Sequence, residues 1–169
     1  MEWINEPCSV IQNIHCTQPI TTTLAKWIQA TKVSTINCDK RARPALLPHG
    51  VFVGGRSEKH LVEQNRIIQF DIDRKHNPLL NVDLIKEKAA QVDEILFCAK
   101  SAVDGCYGFA LRSGNQDEQL DRIASALGAV LDRCNSRSVA ALRFASADRM
   151  PMVRRAHGVG RNRRGGVRP

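Results

Sequence analysis

Residues 66–73 read Arg-Ile-Ile-Gln-Phe-Asp-Ile-Asp, and this run constrains the chain more than any other. Ile68, Phe70 and Ile72 alternate with Gln69, Asp71 and Asp73. A period of two marks a strand, with the apolar set on one face and both carboxylates on the other. Two carboxylates that close repel, and one tends to stay protonated unless a cation sits between them. One reading of the pair is therefore a divalent-metal site. The other is a half-buried strand running out into an acidic loop.

The rest of the composition narrows the class. A chain of 169 residues with 43% hydrophobic content is one ordinary domain, or two small lobes sharing a core. No run approaches the roughly 20 apolar residues of a membrane span. The N-terminus lacks a signal-peptide pattern, so a cytoplasmic location and no membrane partner are expected. The cysteines are Cys8, Cys16, Cys38, Cys98, Cys106 and Cys134. None forms a Cys-x-x-Cys pair, which argues against zinc-ribbon chemistry and for reduced, mostly buried thiols. No His-x-His or His-Glu-x-x-His motif occurs. The net charge is +8, but residues 149–169 hold seven arginines and no acid. Taking 7 from 8 leaves the first 148 residues near +1, so the basic character belongs to the tail. That tail reads as disordered and able to bind nucleic acid weakly through charge.

Along the chain, residues 1–20 read as an opening strand or loop. Residues 21–32 read as a helix capped by Thr21 or Thr22, with Leu24, Trp27 and Ile28 as its stripe. Lys40, Arg41 and Arg43 form a basic cluster, either a solvated helix end or a contact for phosphates. A strand at 51–53 runs into Gly54-Gly55, and Ser57 caps a short helix over 58–64 whose start could seat an anion. After the acidic strand and a basic turn, Asn81 or Asp83 caps a helix reaching about Val92. A strand at 94–99, an Asp-Gly turn at Asp104-Gly105 and a strand at 106–111 make a hairpin. Gly108 within that hairpin signals a bulge or a closely pressed ligand. Residues 117–133 read as the clearest helix, and 138–145 as a last strand carrying Arg143. From residue 66 the order is β-α-β-β-α-β, the split βαβ or ferredoxin-like arrangement.

Three segments carry a family resemblance. The first is a basic stretch, Leu47-Pro48, a strand into Gly54-Gly55, a short helix, and the strand ending Asp71-Ile72-Asp73. The second is Ser101 with the closely spaced Gly105 and Gly108. The third is Leu131-Asp132 followed by Leu142-Arg143-Phe144-Ala145-Ser146-Ala147-Asp148. Together they resemble the VirE N-terminal-type, or primase-polymerase, domains of the archaeo-eukaryotic primase superfamily. The resemblance covers about residues 8–148. It implies an α+β fold with a small N-terminal lobe (1–65), a ferredoxin/RRM-like catalytic lobe (66–148) and a basic tail (149–169).

The same resemblance implies an activity: templated nucleotidyl transfer with two Mg²⁺ or Mn²⁺ ions. The expected substrates are nucleoside triphosphates and single-stranded or primed DNA, with a helicase or primase as partner. Asp71, Asp73 and Asp132 are the implied metal ligands and catalytic acids, with Asp148 as the rival of Asp132. Carboxylates are the hard ligands these ions prefer, and a two-metal pair stabilises both oxygens of an in-line displacement. Ser101 and Gly105 are expected to line the nucleotide pocket, and Arg143 to contact phosphate. Lys40, Arg41 and Arg43 are the expected nucleic-acid contacts. One departure stands out. Active members of the superfamily often carry a Ser-x-His element here, and residues 101–112 contain no histidine. Arg112 or Lys100 is then expected at the phosphate, and a catalytically silent nucleotide- or nucleic-acid-binding module is the alternative reading. A replication-initiation nuclease would need a His-x-His motif. A sheet-face RNA-binding module would need aromatics where the acids stand.

Overall fold

The computed structural model describes residues 3–33, 39–102, 104–132, 143–144, 148 and 150–154. The side chains of Val33, Lys40, Arg143 and Phe144 lie outside that description. The architecture is α+β, with three α-helices and antiparallel sheets among the described residues.

The acidic run is strand β6 (Ile67–Ile72), and it stands at the edge of a four-stranded antiparallel sheet. Its neighbour is β8 (Cys106–Leu111), followed by β7 (Ile95–Lys100) and β10 (Met152–Val153). The register sets Phe70 opposite Gly108, Asp71 opposite Tyr107 and Ile72 opposite Cys106. Ile68, Phe70 and Ile72 pack with Ile85, Ala89, Leu120, Ile123 and Leu127, beneath helices α2 (Val82–Gln91) and α3 (Gln116–Leu127). The other face of the sheet is also covered. Ile67, Phe97, Tyr107 and Phe109 share a core with Trp3, Leu24, Trp27 and Ile28 from the first part of the chain. Every residue of β6 except Asp71 is therefore buried, including Gln69. Alternation alone suggested one wet face. The second packing layer, contributed by helix α1 (Leu24–Val33), removes it.

The N-terminal residues build a second sheet, ordered β2 (Ile20–Thr23), β1 (Pro7–Ile11), β3 (Ala45–Leu47) and β9 (Arg143–Phe144). Helix α1 begins three residues later than the sequence suggests. Thr21 and Thr22 pair with Ser9 and Cys8 in a strand, as suits a β-branched Ile-Thr-Thr-Thr run. Residues 58–64 are likewise not one helix. A 3-10 turn at Glu58–His60 gives way to strand β5 (Leu61–Gln64), which pairs with β4 (Gly50–Phe52). Ser57 makes no side-chain cap there, and its hydroxyl lies 2.8 Å from His60 Nδ1. The Gly54-Gly55 pair is explained by local packing. Gly54 has φ +72°, and a Cβ on Gly55 would strike the His60 ring.

Helix α3 stops at Leu127 rather than continuing to Arg133. Gly128 takes the left-handed conformation (φ 63°), donating to the carbonyls of Ala124 and Ser125, while Ala129 N–H returns to Ala124. This is a glycine C-cap that turns the chain. Leu131 then enters the core as a separate anchor. A split βαβ unit would close with the strand at 138–145 on the same sheet as β6. Of that stretch only Arg143–Phe144 falls among the described residues, and it pairs with Leu46 and Ala45 in the other sheet. The fourth strand of the central sheet is β10, on the β7 edge. The tail is therefore ordered further than its composition suggests. Arg154 Nε donates to Ile95 O, and its Nη2 to the carbonyls of Ala90 and Val92, capping the C-terminal end of α2. The rest of the expected strand, 138–142 and 145, and residues 155–169 fall outside the described residues.

Candidate functional site: an acidic corner of the central sheet

Three of the predicted residues meet at one corner. Asp71 is the last half-buried position of β6. Asp73 follows in extended backbone (φ −87°, ψ 133°), so strand alternation carries through it onto the Asp71 side. Asp73 is exposed, and its Oδ1 accepts from Lys75 N (3.0 Å) at the start of a 3-10 turn, Arg74–His76. Asp132 arrives from the stretch after α3, the helix that packs over β6. Its backbone N–H donates to the carbonyl of Asp71 at 2.8 Å. It is therefore not an acid at a helix end, because the Gly128 cap has already released the chain.

A residue that the sequence did not single out secures this junction. Asn77 Nδ2 donates to Val130 O (2.9 Å) and to Asp73 O (2.9 Å), while its Oδ1 accepts from Val130 N (2.8 Å). One amide thus ties the loop after β6 to the stretch leading into Asp132. Asparagine is suited to this, having an acceptor and two donors on one planar group. The only local signal was an Asn-Pro dipeptide, which reads as a turn.

The hairpin lies at the same end of the sheet. Ser101 N donates to Gly105 O (2.9 Å), and Gly105 N to Ser101 Oγ (3.1 Å). Gly105 is buried with its Cα against the carbonyl of Ile72, where a Cβ would not fit. The positive φ of the turn falls on Asp104 (47°) instead. Gly108 is also a matter of space. Phe70 and the Phe97 carbonyl occupy the position a Cβ would need. A side chain of the protein itself, not a ligand, presses on that backbone.

Asp148 and Lys100 belong to a neighbouring cleft of about 490 Å³, lined also by Arg74, Asn81, Lys86 and Asp104. Asp148 is buried and fully engaged. It accepts from Lys100 N (2.7 Å) and Met150 N (2.9 Å), and its Oδ2 lies 3.5 Å from Lys86 Nζ. Burial pulls the Lys86 pKa down, but hydrogen bonds and charge from Asp83 and Asp148 outweigh it and raise the pKa overall. Asp148 is thus a structural anchor for the start of β10, whereas Asp132 is the acid delivered to Asp71.

The other predicted residues are dispersed. Arg112 sits at the opposite end of β8, five residues from Tyr107, or roughly 17 Å along a strand. It is too far to reach a phosphate held at Asp71. Arg41 is exposed and Arg43 half-buried beside β3, with Arg41 N bonded to Asp39 (2.7 Å). The Lys40 and Arg143 side chains lie outside the described residues.

Among the described residues, no three His, Cys, Asp or Glu side chains already converge on a point a metal could occupy. The thiols described are free, with Cys8, Cys98 and Cys106 buried. A hydrogen bond with Cys106, and burial, push the Cys98 pKa well up. Among the described residues no helix is long and apolar enough to cross a membrane. Fold and site together define an α+β protein with an acidic corner at the edge of its central sheet. Comparison with family models, curated proteins and solved structures gives no match to this chain.

Proposed function

We propose that this chain is a primase-polymerase-type nucleotidyltransferase domain whose active centre is the corner formed by Asp71, Asp73 and Asp132. The observation that carries the reading is the Asp132 N–H to Asp71 O bond at 2.8 Å. It brings together an acid pair and a third acid some 60 residues apart in sequence, the set that the family resemblance implies.

The donor chemistry fits Mg²⁺ or Mn²⁺. All three candidates are carboxylates, hard oxygen ligands, with no thiol or imidazole among them. Asp73 spends one oxygen on the Lys75 amide and keeps its other oxygen for a cation. Bound cations would stabilise the attacking and leaving oxygens of phosphoryl transfer. The protein's own part is positioning. Asn77 fixes the approach of the 130–132 stretch, and Gly105 lets the Ser101 hairpin lie flush against the end of β6. Ser101 Oγ would face nucleotide phosphates entering at the corner, with Lys100 beside it. Single-stranded or primed DNA is the template, with Arg41 and Arg43 as phosphate contacts on the N-terminal sheet.

The test is incorporation of labelled nucleotides on primed and unprimed single strands with Mn²⁺ or Mg²⁺. The Asp71→Ala/Asp73→Ala double variant serves as control. Metal-dependent product lost in the variant supports the enzyme. Metal-dependent nucleotide binding without product would instead favour a catalytically silent binding module on the same fold.

A further inference from the structure

At the end of the sheet remote from Asp71, one arginine precedes β6 and another follows β8. Arg112 N donates to Arg66 O (2.8 Å), so the two residues stand directly opposite each other on neighbouring strands. Like charges in that relation repel. Arg66 has a counter-ion: its Nη2 lies 3.0 Å from Glu6 Oε1, and the Glu6 side chain is only 8% exposed. Arg112 has none. Its Nε and Nη2 are both buried and make no hydrogen bond among the described residues. Glu94, on the neighbouring strand end, is already committed to Ser113, Gln119 and Arg122.

A guanidinium held this way is costly, because a buried charge needs both a counter-charge and hydrogen bonds. The identity of the two orphan atoms is informative. Nε–H and Nη2–H are the parallel pair on one edge of the guanidinium, the fork that grips an oxyanion with two bonds. The residue as a whole keeps partial exposure and Arg66 is 61% exposed, so the rim of the site is open to solvent. Glu6 supplies one negative charge against two guanidiniums. A phosphate monoester carries more than one negative charge near neutral pH and matches the deficit better than a second carboxylate.

We propose that Arg112, with Arg66 opposite it, forms a binding site for a phosphoryl oxyanion, either inorganic phosphate or a phosphate monoester, separate from the acidic corner. The site does not depend on the nucleotidyltransferase reading, because it lies at the other end of the sheet.

The experiment titrates sodium phosphate, and in a second arm adenosine monophosphate, into the full chain at fixed ionic strength set with chloride. The Arg112 Nε–H resonance is followed by NMR, and the unfolding midpoint by fluorimetry. A saturable shift of that resonance with a rising midpoint is expected. Arg112→Lys should bind at least about tenfold more weakly, since it keeps the charge and loses the fork. Arg112→Met should not respond, yet should be no less stable than the parent in phosphate-free buffer. Equal affinity in the two arms identifies the phosphoryl group alone as the ligand. Tighter binding of the monophosphate identifies an ester source. Asp71→Asn should bind as the parent does, which separates this site from the metal corner. The proposal is overturned by an unshifted Arg112 resonance, by an unchanged phosphate response in Arg112→Met, or by marked instability of Arg112→Met without phosphate.

Discussion

Asn77 grips Val130 from both sides, donating to its carbonyl and accepting from its amide, at 2.9 and 2.8 Å. Through this pair the loop after β6 determines where Asp132 lands. Asn77→Ala should cost about 2 kcal/mol, the sum of a few net hydrogen bonds. It should also weaken Mn²⁺ binding, although Asn77 is not itself a ligand. Urea unfolding and a calorimetric Mn²⁺ titration check the two effects. Stability lost with metal affinity intact would mean that Asn77 supports the fold and does not position the acids.

Asp148 provides the contrast. Removing its carboxylate takes from half-buried Lys86 one of its two acid partners, the other being Asp83 at 3.1 Å, and leaves two backbone amides unpaired. Asp148→Ala should cost about 3 kcal/mol. Asp148→Asn, which still accepts hydrogen bonds, should cost less. Mn²⁺ affinity in Asp148→Asn should match the parent, because this side chain is already committed to Lys100, Met150 and Lys86. A large drop in metal affinity would restore Asp148 as the third acid.

Gly108 and Phe70 form a coupled pair. Gly108→Ala should destabilise by about 1–3 kcal/mol through overpacking against the Phe70 ring. Adding Phe70→Leu should recover part of that loss even though it removes buried surface. The double-mutant cycle measures the coupling. Simple additivity would show that the ring is not what fills the missing Cβ.

Burial pushes the Cys8 thiol from its ordinary 9.0 up to about 12. Between those values the unfolded chain loses a proton that the folded protein keeps. The unfolded state therefore binds fewer protons, so stability falls as pH rises through the window and is fully present below it. Cys8→Ala should remove that part of the slope, up to about 1.4 kcal/mol per pH unit. Urea midpoints between pH 8.5 and 10.5 decide it, and identical slopes in the two proteins would contradict it.

The paired acids, the hairpin and the helix at Asn81 could be read from the chain because each is written locally. Alternation marks β6, Asp-Gly marks the turn, and Asn81 accepts from the amides of Asp83 and Leu84 as a cap. What could not be read depended on distant partners. Thr21 and Thr22 became strand because β1 was there to pair with them, and Leu61–Gln64 became strand beside β4. Gln69 is buried because α1 covers a face that its own strand leaves polar. Gly128 was the one local sign that α3 ends early, and it lay inside an apolar pattern that ran on past it. Met152 and Val153 form a strand inside an arginine-rich stretch because β7 offers a free edge and the end of α2 offers carbonyls to Arg154. In the site, Asp71 and Asp73 were legible as a pair. That the Asp132 backbone bonds to Asp71 follows from the turn at Gly128 and the Asn77 bridge, while Asp148 is held by Lys100, Met150 and Lys86.

The central claim is that Asp71, Asp73 and Asp132 form one divalent-cation site. Calorimetric titration of Mn²⁺ into the parent, Asp71→Asn and Asp132→Asn proteins tests it most directly. Saturable binding by the parent, weakened at least about tenfold by either substitution, is the predicted result. No binding by the parent, or an Asp132→Asn protein that binds as the parent does while Asp71→Asn fails, would contradict it.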